Sequence, residues 1–269
     1  MLLLLSPAKK LDYDSPVRTT LHTQPLFVDE TSELIKVLKR KSASEVAGLM
    51  GLSDALAQLN VQRYAAWTPR FDQTNSRQAL LAFNGDVYAG LDAPALSDAK
   101  LKWAQDHVVL LSGLYGALRP LDLMQPYRLE MGTRLATRKG GTLYDFWGDT
   151  IAPYLNERLA EPVNTKRKPE PLVLNLASQE YFKAVDLKAL RARVVQCVFQ
   201  DYKNGNWKII SFHAKRARGL MARFVIDNKV NEPQALHGFA SEGYAFAADA
   251  SSPEKLVFRR ATPYVRAAA

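Results

Sequence analysis

Residues 194–212 constrain the fold more than any other stretch. Val194 to Tyr202 is rich in β-branched and aromatic residues, Asn204-Gly205 follows, and Trp207 to Phe212 returns. Asn-Gly accepts the positive φ angles of a tight two-residue turn, so this pattern predicts an antiparallel β-hairpin. Short apolar runs elsewhere, at residues 1–5, 79–83, 108–111, 172–174 and 256–258, predict further buried strands. Between them lie helical periodicities over residues 29–41, 97–106, 144–159 and 213–225. Interleaved helices and strands with at least one antiparallel hairpin define the fold class as α+β. Residues 1–269 are read as a single compact mixed domain with a central sheet and surrounding helices. At 269 residues and 47% apolar content, the chain has ample material for such a core.

The first apolar run, Met1 to Leu5, is too short for a signal segment, has no basic stretch before it and runs directly into Ser6-Pro7. It reads as a buried strand. No other run approaches the ~18 apolar residues of a membrane span, which predicts a cytoplasmic protein with no membrane partner. A single cysteine, Cys197, excludes an intramolecular disulfide and fits a reducing compartment. Asn84-Gly85-Asp86 is a turn signal, after which Val87 to Gly90 either pairs back as a strand or begins a loop.

Charge points to the class of partner. Thirty-six Lys and Arg against 27 Asp and Glu leave a net +9, which favours polyanions. Two stretches concentrate the signal. In residues 43–67 a short helix, with Val46, Leu49 and Met50 on its buried face, meets Gly51-Leu52-Ser53. A second helix follows, with Ser53 as N-cap and Leu56 and Leu59 facing inward. The pattern resembles a helix-hairpin-helix, which aims backbone amides at a phosphate. It equally fits a plain αα-hairpin, and Ser53 stands where a second glycine is usual. Lys36, Lys39, Arg40 and Lys41 precede this segment and Arg63 follows it. In the second stretch, helical spacing puts Arg216 and Arg223 on one exposed stripe and Lys215 and Arg218 on an adjoining one. Four cations in nine residues fit phosphate contact.

A further set of residues could line an anion-binding or catalytic cleft. Ser6, Lys9, Lys10 and Tyr13 leave the end of the first strand, where a rigid element can hold a site. Arg119, Arg128, Glu130 and Arg134 lie in an irregular, proline-rich segment, and Ser178 precedes a short helix. Ser112-Gly113-Leu114-Tyr115-Gly116 follows a strand but lacks either nucleotide-binding glycine pattern. The four histidines are far apart in sequence, no metal-ligand spacing occurs, and no cofactor is called for.

Several motifs, taken in order, resemble the YaaA peroxide stress-resistance family. They are Ser6-Pro7-Ala8-Lys9 with Leu11-Asp12, Leu111 through Gly116, Arg119-Pro120, Tyr127 through Gly132, Tyr144-Asp145-Phe146-Trp147, Asn175 through Ser178, Lys215 through Gly219, and Gly243-Tyr244. Lys10 departs from the family pattern, in which many relatives carry Thr, and this leaves Lys9 as the functional lysine. The resemblance implies a cytosolic bacterial protein that limits oxidative damage during peroxide stress and is linked to lower free iron. It also implies binding of double-stranded or structured DNA through a basic cleft, with little sequence specificity. On this reading Gly51, Leu52 and Ser53 hold a phosphate, and Lys39, Arg40, Lys41, Arg63, Lys215, Arg216, Arg218 and Arg223 surround it. The alternative is an enzyme acting on damaged DNA or another phosphorylated substrate. Lys9, Asp12, Tyr13, Arg128, Glu130 and Ser178 would then supply the chemistry. No protein partner is evident.

Overall fold

The computed structural model describes residues 1–160 and 170–261. The basic stretch Lys166-Arg167-Lys168, between prolines and expected to form an exposed loop, therefore lies outside the described residues. Four consecutive leucines form β1 (Leu2–Leu5), each at most 2% exposed. A strand without a polar face must be covered on both sides, as in a parallel sheet between helical layers. That is its position in an eight-stranded sheet.

The chain continues through β2 (Lys10–Leu11), α1 (Val28–Leu38), α2 (Ala43–Met50) and α3 (Asp54–Ala66). It then forms β3 (Arg77–Gln78), α4 (Ala79–Ala82), β4 (Phe83–Asn84), α5 (Asp86–Leu91) and α6 (Asp98–His107). Next come β5 (Val108–Ser112), β6 (Gly116–Leu118), β7 (Leu123–Met124), α7 (Leu143–Trp147) and α8 (Ile151–Ala160). After the undescribed stretch, β8 (Leu172–Asn175), α9 (Gln179–Phe182), β9 (Arg193–Lys203), β10 (Asn206–Lys208) and α10 (Ser211–Asn228) follow. β11 (Ala245–Phe246) and β12 (Lys255–Arg260) complete the main sheet.

The sheet order is β11-β12-β9-β8-β1-β5-β6, with β10 paired to β9. The mixed α and β reading holds, and the hairpin forms, with Trp207 facing Tyr202 across the antiparallel β9–β10 pair; its return strand, however, ends at Lys208, and Ser211-Phe212 open α10 instead of extending it. The five strands β12, β9, β8, β1 and β5, however, run parallel. Within this sheet antiparallel pairing is confined to the outer additions β6, β10 and β11, while β2–β4 and β3–β7 form separate two-stranded antiparallel pairs. From β1 the chain builds β5 on one side and then returns to place β8, β9 and β12 on the other. The order therefore reverses between β1 and β8, and beyond the carboxyl ends of strands at such a reversal the departing loops open a crevice.

Four local expectations change. Ala79–Ala82 is a helical turn, not a strand. Its apolar run is buried, and Ala79 and Leu80 donate to the carbonyls of Asp122 and Pro120; such a run has no period that separates strand from helix. Asn84-Gly85-Asp86 connects a strand to α5, so residues 87–90 are helical. Residues 144–159 form two helices, because Gly148 adopts φ +39° and ends the first. Finally, Leu56 and Leu59 are exposed, while Ala57, Asn60 and Tyr64 face the core. The large Tyr64 ring is buried and its hydroxyl donates to the Arg128 carbonyl, which sets the rotation of α3.

Two of the motifs that carry the family resemblance serve packing. Gly116 adopts φ +66°, and a Cβ there would stand 2.6 Å from the Trp147 ring, while Trp147 Nε1 donates to the Gly113 carbonyl at 3.0 Å. The glycine spacing thus seats an indole. In Gly243-Tyr244, the tyrosine hydroxyl donates to buried Asp201 at 3.0 Å, and Arg260 pairs with the same carboxylate at 2.6 Å.

Candidate functional site

β1 and β8 end side by side, and one serine ties them together. Leu176 extends the pairing by donating to the Leu4 carbonyl at 3.0 Å. Ala177 N–H turns onto Asn175 Oδ1 at 2.9 Å, and Ser178 N–H donates to Ser6 Oγ at 2.8 Å. Ser6 Oγ itself lies 3.3 Å from Ser178 Oγ. Ser178 is also the N-cap of α9. Tyr88, from α5, donates to the Ser6 carbonyl at 2.9 Å. The loops leaving the two strands are therefore held rigidly where the strand order reverses.

A cleft of about 410 Å³ opens at this point, within the ~300–1,000 Å³ range of ligand pockets. It brings together Ser6, Lys9, Lys10, Arg128, Glu130, Ser178, Lys215 and Arg218 from the sequence-predicted set. Glu130 binds two of them at once, with Lys9 Nζ at 2.8 Å from Oε2 and Arg128 Nη2 at 3.0 Å from Oε1. Five cations and three carboxylates line the cleft. The positive excess is carried by Lys10 on β2 and by Lys215 and Arg218 on α10, none of which has a side-chain hydrogen bond or ion pair among the described residues. Burial pushes the Arg218 guanidinium below its ordinary value, an effect partly offset by the neighbouring Cys197 thiol. A half-buried guanidinium without a carboxylate retains donors suited to an anion.

α10 reaches the cleft because two glycines let it approach α5 backbone to backbone. A Cβ on Gly219 would stand 1.8 Å from the Val87 carbonyl oxygen, and one on Gly90 would stand 2.3 Å from the Arg216 oxygen. Val87 lines the cleft, so this contact fixes Lys215 and Arg218 against the opposite wall. Gly219, absent from the candidate set, is thus a determinant of the site. Its signal in the sequence was a glycine inside an otherwise strong helical pattern.

The other predicted residues lie elsewhere. Asp12 is held by Arg77, whose Nη1 is 3.3 Å from Oδ1. Hydrogen bonding from Ser15 is the main reason its carboxyl lies below its usual range. Tyr13 faces a separate, wider groove of about 730 Å³ together with Arg63, and its hydroxyl donates to the Met124 carbonyl at 2.6 Å. Arg63 contacts Asn60 Oδ1 at 3.4 Å. Arg119 pairs with Asp122 at 3.1 Å, and Arg134 is exposed away from the cleft lining. On α10, Arg216 is clamped by Glu242 at 2.6 Å, and Arg223 by Asp227 at 2.8 Å and Asp92 at 3.7 Å. Their stripe has no local carboxylate in 215–223; tertiary contacts and Asp227 supply them.

The residue 43–67 element forms the expected αα-hairpin. Ser42 and Glu45 make a reciprocal capping box. Gly51, at φ +61°, closes α2, but its amide and that of Leu52 both donate to the Ala47 carbonyl. Those two amides are therefore engaged in ending the helix. Ser53 caps α3 by position without a side-chain bond. Lys39 donates to the Trp67 carbonyl at 3.2 Å, Lys41 pairs with Glu45 at 2.9 Å, and Arg40 is exposed. Lys36 and Arg40 border a small groove with Arg138.

No described helix is long and apolar enough to cross a membrane. Among the described residues no three His, Cys, Asp or Glu side chains group as metal ligands. Cys197 is buried, and desolvation pushes its thiol well above the ordinary value, the opposite of a peroxide-reactive thiolate.

Comparison with known proteins places this geometry in context. A family model described as "Peroxide stress protein YaaA" matches residues 1–250. A UPF0246 protein of Bordetella petrii is 70% identical over 260 residues, covering 97% of this chain and 99% of the relative. A UPF0246 protein of Paracidovorax citrulli is 64% identical over 261 residues, covering 97% and 98%. One from Albidiferax ferrireducens is 60% identical over 263 residues, covering 98% and 99%.

Proposed function

This chain belongs to the YaaA family of peroxide stress proteins, and from that premise we propose that it limits oxidative damage by binding DNA with little sequence specificity. The phosphate-facing element on this reading is the cleft where β1 and β8 end. The observation that carries it is the pair Lys215 and Arg218, which line the cleft on one helix without a partner among the described residues. Cations left unneutralised within a protein attract phosphate and release its counter-ions on contact, a mechanism that reads charge rather than base identity. Lys9 and Arg128 share one carboxylate, Glu130, so the three together carry a net positive charge to the same wall.

The αα-hairpin supplies a second contact on this account. Exposed Ser53 at the start of α3, with exposed Lys36 and Arg40 nearby in sequence, would meet the DNA backbone beyond the cleft. The Gly51 and Leu52 amides contribute less, since both already close α2. Arg216 and Arg223 act as struts of α10, because each is held by carboxylates.

Binding of a fluorescently labelled duplex, followed by anisotropy against salt, tests the proposal. For about six phosphate contacts the affinity falls ~10³-fold between 50 and 200 mM salt. Absence of binding at low salt, or affinity indifferent to salt, refutes it.

A further inference from the structure

The cleft is too small to admit a duplex, and its lining is not that of a surface that only follows a phosphate backbone. Besides Lys215 and Arg218 it is lined by Pro7, Val87, Leu129 and Leu176 and by the buried residues Tyr127 and Tyr181. Its volume of about 410 Å³ is that of a small-ligand cavity, while the cations in its lining call for a phosphate. One group bears both a flat apolar body and a phosphate: a nucleotide. Within the same cavity Asn84 is half-buried, and its side-chain amide makes no hydrogen bond among the described residues. A free amide offers both a donor and an acceptor, which suits the edge of an unpaired base.

The approach to the cavity supplies a second observation. Phe212, Lys215 and Arg218 follow one another at three-residue spacing on α10, so they adjoin along one side of the helix. They run from outside inward: Phe212 is 59% exposed, Lys215 is exposed and Arg218 is half-buried at the cleft. Tyr202 and Ile209 on the neighbouring hairpin are also large, apolar and exposed, at 47% and 60%. Exposed rings beside unpaired cations form the kind of surface on which bases stack or into which a wedge is inserted.

Building on the DNA-binding reading, we propose that the cleft receives a single nucleotide turned out of a DNA strand. Its base enters the cavity toward Asn84, its flanking phosphates lie on Lys215 and Arg218, and Phe212 fills the space left in the stack. Unstacking one base carries a free-energy cost that is least where the base is already mismatched or damaged. The cleft therefore favours such sites over intact duplex without reading a sequence. Lesion-bearing DNA, rather than DNA in general, is the ligand this geometry selects.

The test uses the full chain and a duplex with 2-aminopurine placed opposite an abasic site, its fully paired counterpart, and 2-aminopurine nucleoside monophosphate. Anisotropy of an end label reports binding, and 2-aminopurine emission reports departure from the stack. The expected result is a several-fold rise in emission at saturating protein, larger for the abasic-opposed duplex than for the paired one. At saturation, where lost affinity is titrated out, Phe212→Ala and Asn84→Ala should each reduce that rise. Thermal melting verifies that both variants remain folded. Salt-sensitive binding without an emission change overturns the extruded-nucleotide inference and leaves DNA binding standing. Failure to bind either duplex overturns both. Binding of the free monophosphate alone, without either duplex, overturns the inference as well, since the source would not be a DNA strand.

Discussion

Gly219→Ala sets two well-characterised effects against each other. In a helix interior, Ala is favoured over Gly by ~1 kcal/mol, so propensity alone predicts a more stable protein. The structure predicts the reverse. The new Cβ would lie 1.8 Å from the Val87 carbonyl oxygen and 2.8 Å from the Leu91 amide nitrogen. These are backbone atoms of α5 and cannot rotate away as a side chain would, so the two helices must separate. Overpacking of this kind costs ~1–3 kcal/mol, and a contact with backbone falls at the upper end. The net effect is destabilisation by ~2 kcal/mol, which lowers the melting temperature by about 4–8 °C. Gly48→Ala is the matched control, because it lies on exposed α2 with nothing within 4 Å of its new Cβ. It should gain ~0.5–1 kcal/mol. Thermal unfolding by circular dichroism measures both. Because Val87 and Arg218 sit on opposite sides of that contact and both line the cleft, Gly219→Ala should also weaken duplex binding, whereas Gly48→Ala should not. A Gly219→Ala protein that melts at or above the wild-type temperature refutes the packing argument.

Further outcomes follow from the same contacts. Glu130→Gln removes the carboxylate shared by Lys9 and Arg128; duplex binding should tighten, with the log–log salt slope steeper by about 0.9, one phosphate equivalent. Hydrogen bonds from the Ser42 backbone, then from Lys41, lower the Glu45 carboxyl from its usual 4.5 to about 2. Since the folded value is depressed, the stabilisation is complete above 4.5 and is lost as pH falls toward about 2; an NMR carboxyl titration with its midpoint near 4.5 contradicts this. Cys197 is buried with a raised thiol value, so iodoacetamide should label it only in denaturant, and hydrogen peroxide should leave the native thiol unoxidised.

The parts of the fold visible in the sequence were those with a period or a turn chemistry of their own. Asn204-Gly205 marked the hairpin, the helical periodicity over 97–106 marked α6, which Ser97 caps, and Gly51 closed α2. The parallel order of the sheet was not visible, because Leu2–Leu5 and Leu172–Asn175 are buried on both faces and carry no alternation to give direction. The site divides in the same way. Ser6, Lys9, Arg128, Glu130 and Ser178 were identifiable as polar groups leaving apolar runs. That Glu130 would join Lys9 to Arg128 depends on how the segment after β7 folds against the β1 loop. Arg216 and Arg218 look alike in sequence, yet Glu242 neutralises the first while the second is half-buried beside Cys197 without a carboxylate partner among the described residues. Their difference is tertiary. Asp12 shares a loop with Lys9 in the sequence, yet Arg77 holds it outside the cleft lining.

The most direct measurement is a side-by-side salt titration of duplex binding by wild type, Lys215→Ala/Arg218→Ala and Arg216→Ala/Arg223→Ala. If the cleft-facing side of α10 holds the phosphates, the first variant should bind more weakly, with a log–log slope shallower by ~1.8 for two lost contacts. The second should keep the wild-type slope, because its arginines are already neutralised within the protein. A reversed pattern, with the slope lost only in the Arg216/Arg223 variant, would contradict the assignment of the cleft as the DNA-binding site.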